Sequence, residues 1–476
     1  MEELVMGKSE RFYADVMAMH PEVTGSCNLV IVKLPNGETI RFVVDCGLFQ
    51  EREYEELNST LPFYPEKVEF AVVTHNHVDH TGRLPFMVKN GFDKALYTTK
   101  TTCQLLPLAL YDSYKVLKDV AKRKNRSYLY SEADVEKTLS LLKPCQFAET
   151  IEVSQNVKIT FLKNGHLIGA AMILVRISYP EFNDINLLFT GDYKSSNLFF
   201  DVDPVPEWIL DLPLTVIQES TYGNMDTSQI HKCFKDNILD CISNSGTVVA
   251  PVFSLGRSQE ILYELKCMQD EGVLSKEVPI YLDGSLAIRY TDLFIKGKLD
   301  IKENMLNFLP ENLTYVNRSN RMYVLEDTER KIILTTSGMG SYGPAQVYIP
   351  EYITRKNALI HFTGYTAEGT LGSRLKNTPL GDTVEIGGLI ARKLARVEYT
   401  TEYSAHAKAN EMIEFLKQFR NLKLVLVNHG EAEVKNTFAN RILKEVETKN
   451  VGLLGRDYFF RVSPYGLVKT LSTKFD

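Results

Sequence analysis

Thr74-His75-Asn76-His77-Val78-Asp79-His80 gathers three of the chain's nine histidines and an aspartate into one short stretch. An apolar run at residues 68–74 leads into it, and Thr81-Gly82-Arg83-Leu84-Pro85, which can open a helix, leads out. A turn between strand and helix is where side chains converge beyond the edge of a sheet. Two imidazoles at i and i+2 can hold one cation from such a turn, and the Asp-His pair behind them is placed to hold a second. An isolated H-x-H says little, and a polar turn with structural histidines is the plain alternative. Four crowded titratable groups cost stability unless something binds them, so the stretch predicts a metal site.

Two ions need further ligands, and three other strand ends offer them. His166 follows the apolar run 157–161 within Asn164-Gly165-His166-Leu167-Ile168-Gly169. Asp192 closes Leu188-Phe189-Thr190-Gly191-Asp192, and His429 closes Val425-Leu426-Val427-Asn428-His429. Each stands beside a glycine, which permits close backbone approach. Any one alone reads as a turn residue; together with the first stretch they complete two nitrogen-and-oxygen sites.

Further β-branched runs at 28–33, 39–44, 186–190, 214–218, 247–252, 331–335, 358–362 and 422–427 read as strands, the first two joined at Pro35-Asn36-Gly37. Between them Ile261, Leu262, Leu265 and Met268 share a helical face, and Ser131 with Asp134 opens a helix carrying Val135, Leu139 and Leu142. Residues 458–462 read as a closing edge strand. Alternating strands and helices mean an α/β architecture.

These residues resemble a known family. The stretch 74–80 is similar to the signature of the metallo-β-lactamase fold, His166 and Asp192 to its third and fourth motifs, and Asp45 in Val43-Val44-Asp45-Cys46-Gly47 to its first. The resemblance implies an αββα sandwich in which His75, His77 and His166 hold one zinc ion. Asp79, His80 and His429 would hold a second, Asp192 would bridge the two, and Asp45 would support them from behind. Such a pair of ions, Zn2+ with Mn2+ also admitted, shares a water, lowers its pKa and orients it for attack on a phosphodiester.

The second half of the chain narrows the resemblance. Glu219-Ser220-Thr221-Tyr222-Gly223 resembles motif A of the β-CASP branch, Tyr403-Ser404-Ala405-His406-Ala407 motif B, and Asn428-His429-Gly430-Glu431 motif C. Phe253 to Glu260, Thr336-Ser337-Gly338-Met339 and the loop from Gly364 to Gly372 fit the same branch. The branch implies a nuclease acting on RNA, expected here to be single-stranded. Asp79 and His406 then become catalytic, His406 as the general acid and Glu219 as the carboxylate that holds its other ring nitrogen. Arg257, Ser337, Gly338, Gly369 and Thr370 are expected to meet phosphates; tight β-to-α turns are the plain alternative. Because motifs A and B must line one site, residues 223–398 read as an inserted α/β β-CASP domain, with 1–222 and 399–476 forming the metallo-β-lactamase domain.

There are departures from the family pattern. Asn76 stands where alanine is common, no histidine closely follows Gly223 (the next is His231), and His361 occupies a strand position where an apolar residue is expected. No KH extension is expected before the fold and no long domain after it. Two other readings stay open: a metallo-hydrolase of a different ester, and a catalytically silent RNA-binding scaffold, which is expected to lose ligands.

Composition sets only loose bounds. Hydrophobic residues at 44% and charged ones at 24% suit a soluble globular chain of 476 residues. Net charge −6 excludes bulk attraction to a polyanion, so any RNA contact must be locally basic. The basic run Lys122-Arg123-Lys124-Asn125-Arg126 reads first as a solvated helix end and only second as such a contact. The seven cysteines are scattered and never spaced C-x-x-C, which argues against a disulfide framework or thiolate zinc site and for a cytoplasmic setting. No secretory h-region or membrane-length apolar run is present, so no membrane partner is expected, while a homodimer is allowed.

Overall fold

The computed structural model describes residues 11–20, 22–296, 299–364, 366, 369–448, 450–456 and 458–472. The chain divides into two compact units. The first comprises Met1–Asn197, Asp201–Thr227 and Ala405–Asp476; the second comprises Leu198–Phe200 and Ser228–Ser404.

Two sheets face each other in the first unit. One has eight strands in the spatial order Gly466–Ser472, Tyr458–Ser463, Tyr13–Ala18, Asn28–Lys33, Thr39–Val44, Phe70–Val72, Leu96–Thr99 and Leu142–Cys145. The other has seven: Val451–Leu453, Leu422–Asn428, Leu214–Glu219, Ile185–Phe189, Ala171–Ile177, Val157–Lys163 and Thr150–Ser154. Alternation along the strands decides which side chains meet. Val16, Val30, Val32 and Phe42 of the first sheet pack against Ile159, Phe161, Ile173, Leu187 and Leu426 of the second. The opposite faces are covered by helices: Leu29, Val43 and Val73 lie against Leu84, Met87 and Val88, and Leu174, Val216 and Val425 against Met412, Leu416, Phe438 and Ile442. This is the αββα sandwich expected from the sequence.

The second unit is built on six parallel strands, in the order Leu313–Val316, Ile280–Asp283, Lys331–Thr335, Thr247–Pro251, Ala358–Phe362 and Arg396–Tyr399. Its central strands are buried on both faces, which is why they read as unbroken apolar runs.

Three expectations need adjusting. The insertion was placed at 223–398, but the second unit runs 228–404 with 198–200 added. Thr227 N–H donates to Asn410 Oδ1 at 3.0 Å, keeping that turn with the first unit, while Thr401 N–H donates to the His231 carbonyl at 3.1 Å within the second. Residues 198–200 join the second unit because the Phe199 ring packs 5.2 Å from Phe294 and 5.3 Å from Phe308. Residues 458–462 form an inner strand rather than the edge, since Gly466–Ser472 pairs outside them. Leu142 belongs to the strand Leu142–Cys145, the helix Glu132–Ser140 having ended before it.

Candidate metal centre

Four loops of the first unit bring the histidines together, each following the end of a strand. In His77, Asp79 and His80 the helix Val78–Thr81 begins at once, and its tight placement needs Gly47: a Cβ there would sit 1.5 Å from the Asp79 carbonyl oxygen. Asp45 and His429 both take left-handed backbone, φ 62° and 47°, which non-glycine residues seldom adopt outside functional sites.

The donor atoms fall into two groups sharing one carboxylate. His75, His77, His166 and Asp192 form the first, and Asp79, His80, Asp192 and His429 the second. Within the first, His75 Nε2 and His166 Nε2 lie 3.2 and 3.1 Å from His77 Nδ1 and each 3.7 Å from Asp192 Oδ2. In the second, His80 Nε2 stands 3.3 Å from Asp192 Oδ2, 3.9 Å from Asp79 Oδ2 and 3.3 Å from His429 Nε2. His429 Nδ1 lies 3.2 Å from Asp192 Oδ1.

The surrounding hydrogen bonds fix the tautomers. Asp45 accepts from the Thr74 N–H, the Thr74 hydroxyl and His80 Nδ1, each at 2.8 Å. With its hydroxyl proton given to Asp45, Thr74 Oγ1 accepts from His75 Nδ1 at 3.0 Å. His166 Nδ1 donates to the Ala405 carbonyl at 3.0 Å. The Nε2 atoms of His75, His80 and His166 are therefore turned toward the cluster, the arrangement by which outer partners aim metal-binding imidazoles. His77 Nδ1 can donate to only one of its two ring-nitrogen neighbours. The three ring nitrogens thus share at most one hydrogen, and the lone pair left without one is what a cation between them would take up. The residues fit a metal.

Electrostatics agree with that fit in the first donor group. Burial lowers the pKa of His75 and His166, and that of His77 to about 4, keeping all three neutral with lone pairs available. Burial alone would also lower His80, but the charges of Asp192 and Asp45 outweigh it and hold its pKa above the ordinary value. Burial would raise Asp192, yet His429 and His80 pull its carboxyl well below the usual range.

Beside the cluster, His406 Nδ1 lies 3.1 Å from Glu219 Oε1. Glu219 is itself fixed, accepting from the Tyr193 N–H at 3.2 Å and the Thr221 N–H at 3.0 Å. Burial opposes protonation of His406, but Glu219 and then Asp192 outweigh it and raise its pKa.

Three family models match the chain: metallo-beta-lactamase superfamily over residues 23–216, Beta-Casp domain over 258–375, and Zn-dependent metallo-hydrolase RNA specificity domain over 390–451. The chain belongs to the β-CASP branch of the metallo-β-lactamase superfamily. As a β-CASP protein it is similar to the transcription termination factor FttA of Methanosarcina mazei, at 29% identity over 87% of this chain and 67% of that one. It is 28% identical to an RNase J-like protein of Methanocaldococcus jannaschii, covering 89% of this chain and 95% of its relative. A ribonuclease of Thermus thermophilus is also 28% identical, over 87% of this chain and 91% of its own length. The chain thus spans nearly the whole length of the two ribonuclease-named relatives, but only about two thirds of the termination factor. This β-CASP chain has the fold and donor set of a metallo-hydrolase.

The structure gathers His75, His77, Asp79, His80, His166, Asp192, Glu219, His406 and His429, with Asp45 behind them. Arg257, Ser337, Gly338, Gly369 and Thr370 all belong to the second unit. Arg257 is already engaged within its own unit: the buried guanidinium donates to Glu260 Oε2 at 3.0 Å and to the carbonyls of Thr363 and Tyr403. Those bonds use three of its five N–H groups. Gly338 packs where a Cβ would meet the Phe253 ring, and Ser337 closes a tight turn with Tyr342. Thr370 caps the short helix Leu371–Asn377, accepting from Ser373 N–H at 3.3 Å.

Sequence reading passed over three supporting residues. Thr74 links Asp45 to His75, and Asn164 ties two ligand loops, accepting from His166 N–H at 3.1 Å and donating to the Asp192 carbonyl at 3.1 Å. Ala405 acts through its carbonyl, for which side-chain identity gives no signal. Thr74 and Asn164 had one, each being polar at the end of an apolar run within two residues of a histidine.

Proposed function

We propose that this chain is a metal-dependent ribonuclease hydrolysing phosphodiester bonds of single-stranded RNA at a pair of zinc ions. The observation that carries the reading is the double donor group joined through Asp192. Zinc, or manganese, held there supplies an activated water and neutralises charge that builds on the phosphoryl oxygens.

The chain's own residues do the rest. His75, His77 and His166 would hold one ion, Asp79, His80 and His429 the other, with Asp192 between. Asp45 and Thr74 keep His75 and His80 in the tautomers that present Nε2. Glu219 orients His406 through Nδ1, leaving Nε2 to carry a proton to the leaving oxygen. RNA as substrate rests on the ribonuclease names of the relatives and on the matched RNA specificity domain. Gly369, where a Cβ would meet nothing within 4 Å, and its neighbour Thr370 remain proposed phosphate contacts; Ser337 and Gly338 would shape the adjoining turn. A cytoplasmic setting accords with seven free cysteines, and no helix of the described residues is long and apolar enough to cross a membrane.

The test is incubation of zinc-loaded protein with one RNA labelled at either end. Metal-dependent, chelator-sensitive cleavage supports the proposal, and the product ladder separates internal from end-directed cutting. An intact RNA at saturating zinc refutes it and leaves an RNA-binding scaffold or a hydrolase of another ester.

A further inference from the structure

The longest helix among the described residues, Lys100–Lys124, starts beside the loop that carries His166. The hydroxyls of Thr99 and Thr102 donate to the Gly169 carbonyl at 2.7 and 3.0 Å, tying the helix's first turn to the loop that carries His166. At the usual 1.5 Å rise, its 25 residues span about 37 Å. Its inner face is apolar, Leu106, Leu110 and Tyr114 packing with Tyr130 and Val135.

The outer face is different. Between 115 and 126 stand Lys115, Lys118, Lys122, Arg123, Lys124 and Arg126, with Asp119 the single acid, in a chain whose net charge is −6. Lys115, Lys122 and Arg123 are exposed and recur at i, i+7 and i+8 along one side of the helix, and Arg126, also exposed, lies just past its end. Glu55 engages Lys124 directly and lies 4.0 Å from Arg126. Arg123 turns its Nε to the Asp119 carbonyl at 3.3 Å, and no ion pair among the described residues holds Lys115, Lys122 or Arg123. Attraction to the helix dipole accounts for cations in the last turn, but Lys115 and Lys118 lie outside its reach. Lys118 and Lys122 repel at i, i+4, a cost that a polyanion relieves. Beyond the left-handed residue Asn125 the stripe ends at Tyr128, 43% exposed and able to stack a base.

We infer that this face is a second RNA-binding surface, which holds the phosphodiester backbone of the substrate strand at a distance from the bond being cut. The inference rests on the ribonuclease reading above. Binding there releases counterions, so it adds affinity only to strands long enough to reach it.

The experiment uses the full-length, metal-loaded chain and the triple variant Lys115→Gln, Lys122→Gln, Arg123→Gln, glutamine keeping helix propensity. Turnover of a small diester, bis(p-nitrophenyl) phosphate, is read in both. Binding of 6- and 30-nucleotide RNAs across a salt series is read with His406→Ala in both, so that the RNA survives. Small-diester turnover, 6-mer affinity and thermal midpoint are expected to be unchanged. Affinity for the 30-mer is expected to fall more than about tenfold, and its log–log salt slope to flatten by about 2, three contacts at roughly 0.7 each. Unchanged 30-mer affinity and slope overturn the inference while leaving the ribonuclease reading intact, and so does equal weakening of both RNAs. A parent chain that neither binds nor cuts RNA brings down the ribonuclease reading itself.

Discussion

His406 Nδ1 and Glu219 Oε1 lie 3.1 Å apart although 187 residues separate them in sequence. A general acid must be protonated, so its activity falls as pH rises through its pKa. Burial disfavours the charged imidazole and Glu219 more than offsets this, leaving the His406 pKa raised. Glu219→Gln is therefore expected to move the alkaline limb of the rate profile to lower pH. His406→Ala is expected to retain metal and RNA affinity while turnover drops about 10²–10⁴-fold. Loss of metal from His406→Ala, or an unmoved alkaline limb in Glu219→Gln, contradicts these roles.

Asp192 faces both donor groups, whereas Asp79 belongs to one. Elemental analysis of the zinc-loaded protein is expected to give about two ions per chain, as two-metal hydrolases hold. Asp79→Ala should lower this toward one and Asp192→Ala toward none, with cleavage lost in both. Equal stoichiometry in all three proteins rules out the assignment.

Arg257 is expected to matter for folding rather than for RNA. Arg257→Ala strands the Thr363 and Tyr403 carbonyls and the Glu260 carboxylate, a loss of about 3–5 kcal/mol for a buried charged group. At about 2–4 °C per kcal/mol, a fall of roughly 6–20 °C in the unfolding midpoint follows. The salt slope of RNA binding should stay as it was. A weakened slope at an unchanged midpoint reverses the assignment.

His361, whose presence in a strand departs from the family pattern, gives a pH signature. It is fully buried, Asn237 Nδ2 donates to its Nε2 at 3.3 Å, and its Nδ1 donates to the Phe362 carbonyl at 3.2 Å, a pairing that suits only the neutral ring. Burial, slightly reinforced by Arg396 and His231, lowers its pKa from 6.5 to about 4. The folded ring refuses a proton that the unfolded chain accepts, so stability is lost as pH falls from about 6.5 toward 4, in total roughly 3 kcal/mol. His361→Leu is expected to show a shallower fall in midpoint between pH 6.5 and 5, whatever its stability at pH 7. Parallel curves for parent and variant exclude His361 as the cause.

The metal centre was legible because its chemistry is written in residue types: histidines and aspartates closing apolar runs. The sandwich was legible where strands alternate or run unbroken, as at Asn28–Lys33 and Ala358–Phe362. Edge elements were not. Thr150–Ser154 and Arg396–Tyr399 have a partner on one side only and mix polar with apolar residues, so their extended form is imposed by that neighbour. Arg257 is ambiguous in the sequence because a guanidinium suits a phosphate as well as it suits two carbonyls and a carboxylate. Which it meets depends on loops more than a hundred residues away.

The donor groups draw on residues from His75 to His429 of a 476-residue chain, and the support begins at Asp45. A ribosome must therefore translate past His429 before the members of both donor groups exist together, whatever has already folded. Fragments released early, by a stalled message or a protease, carry the first histidines but neither His406 nor His429. If the chain cuts RNA, its own unfinished copies are harmless to the transcript that encodes them.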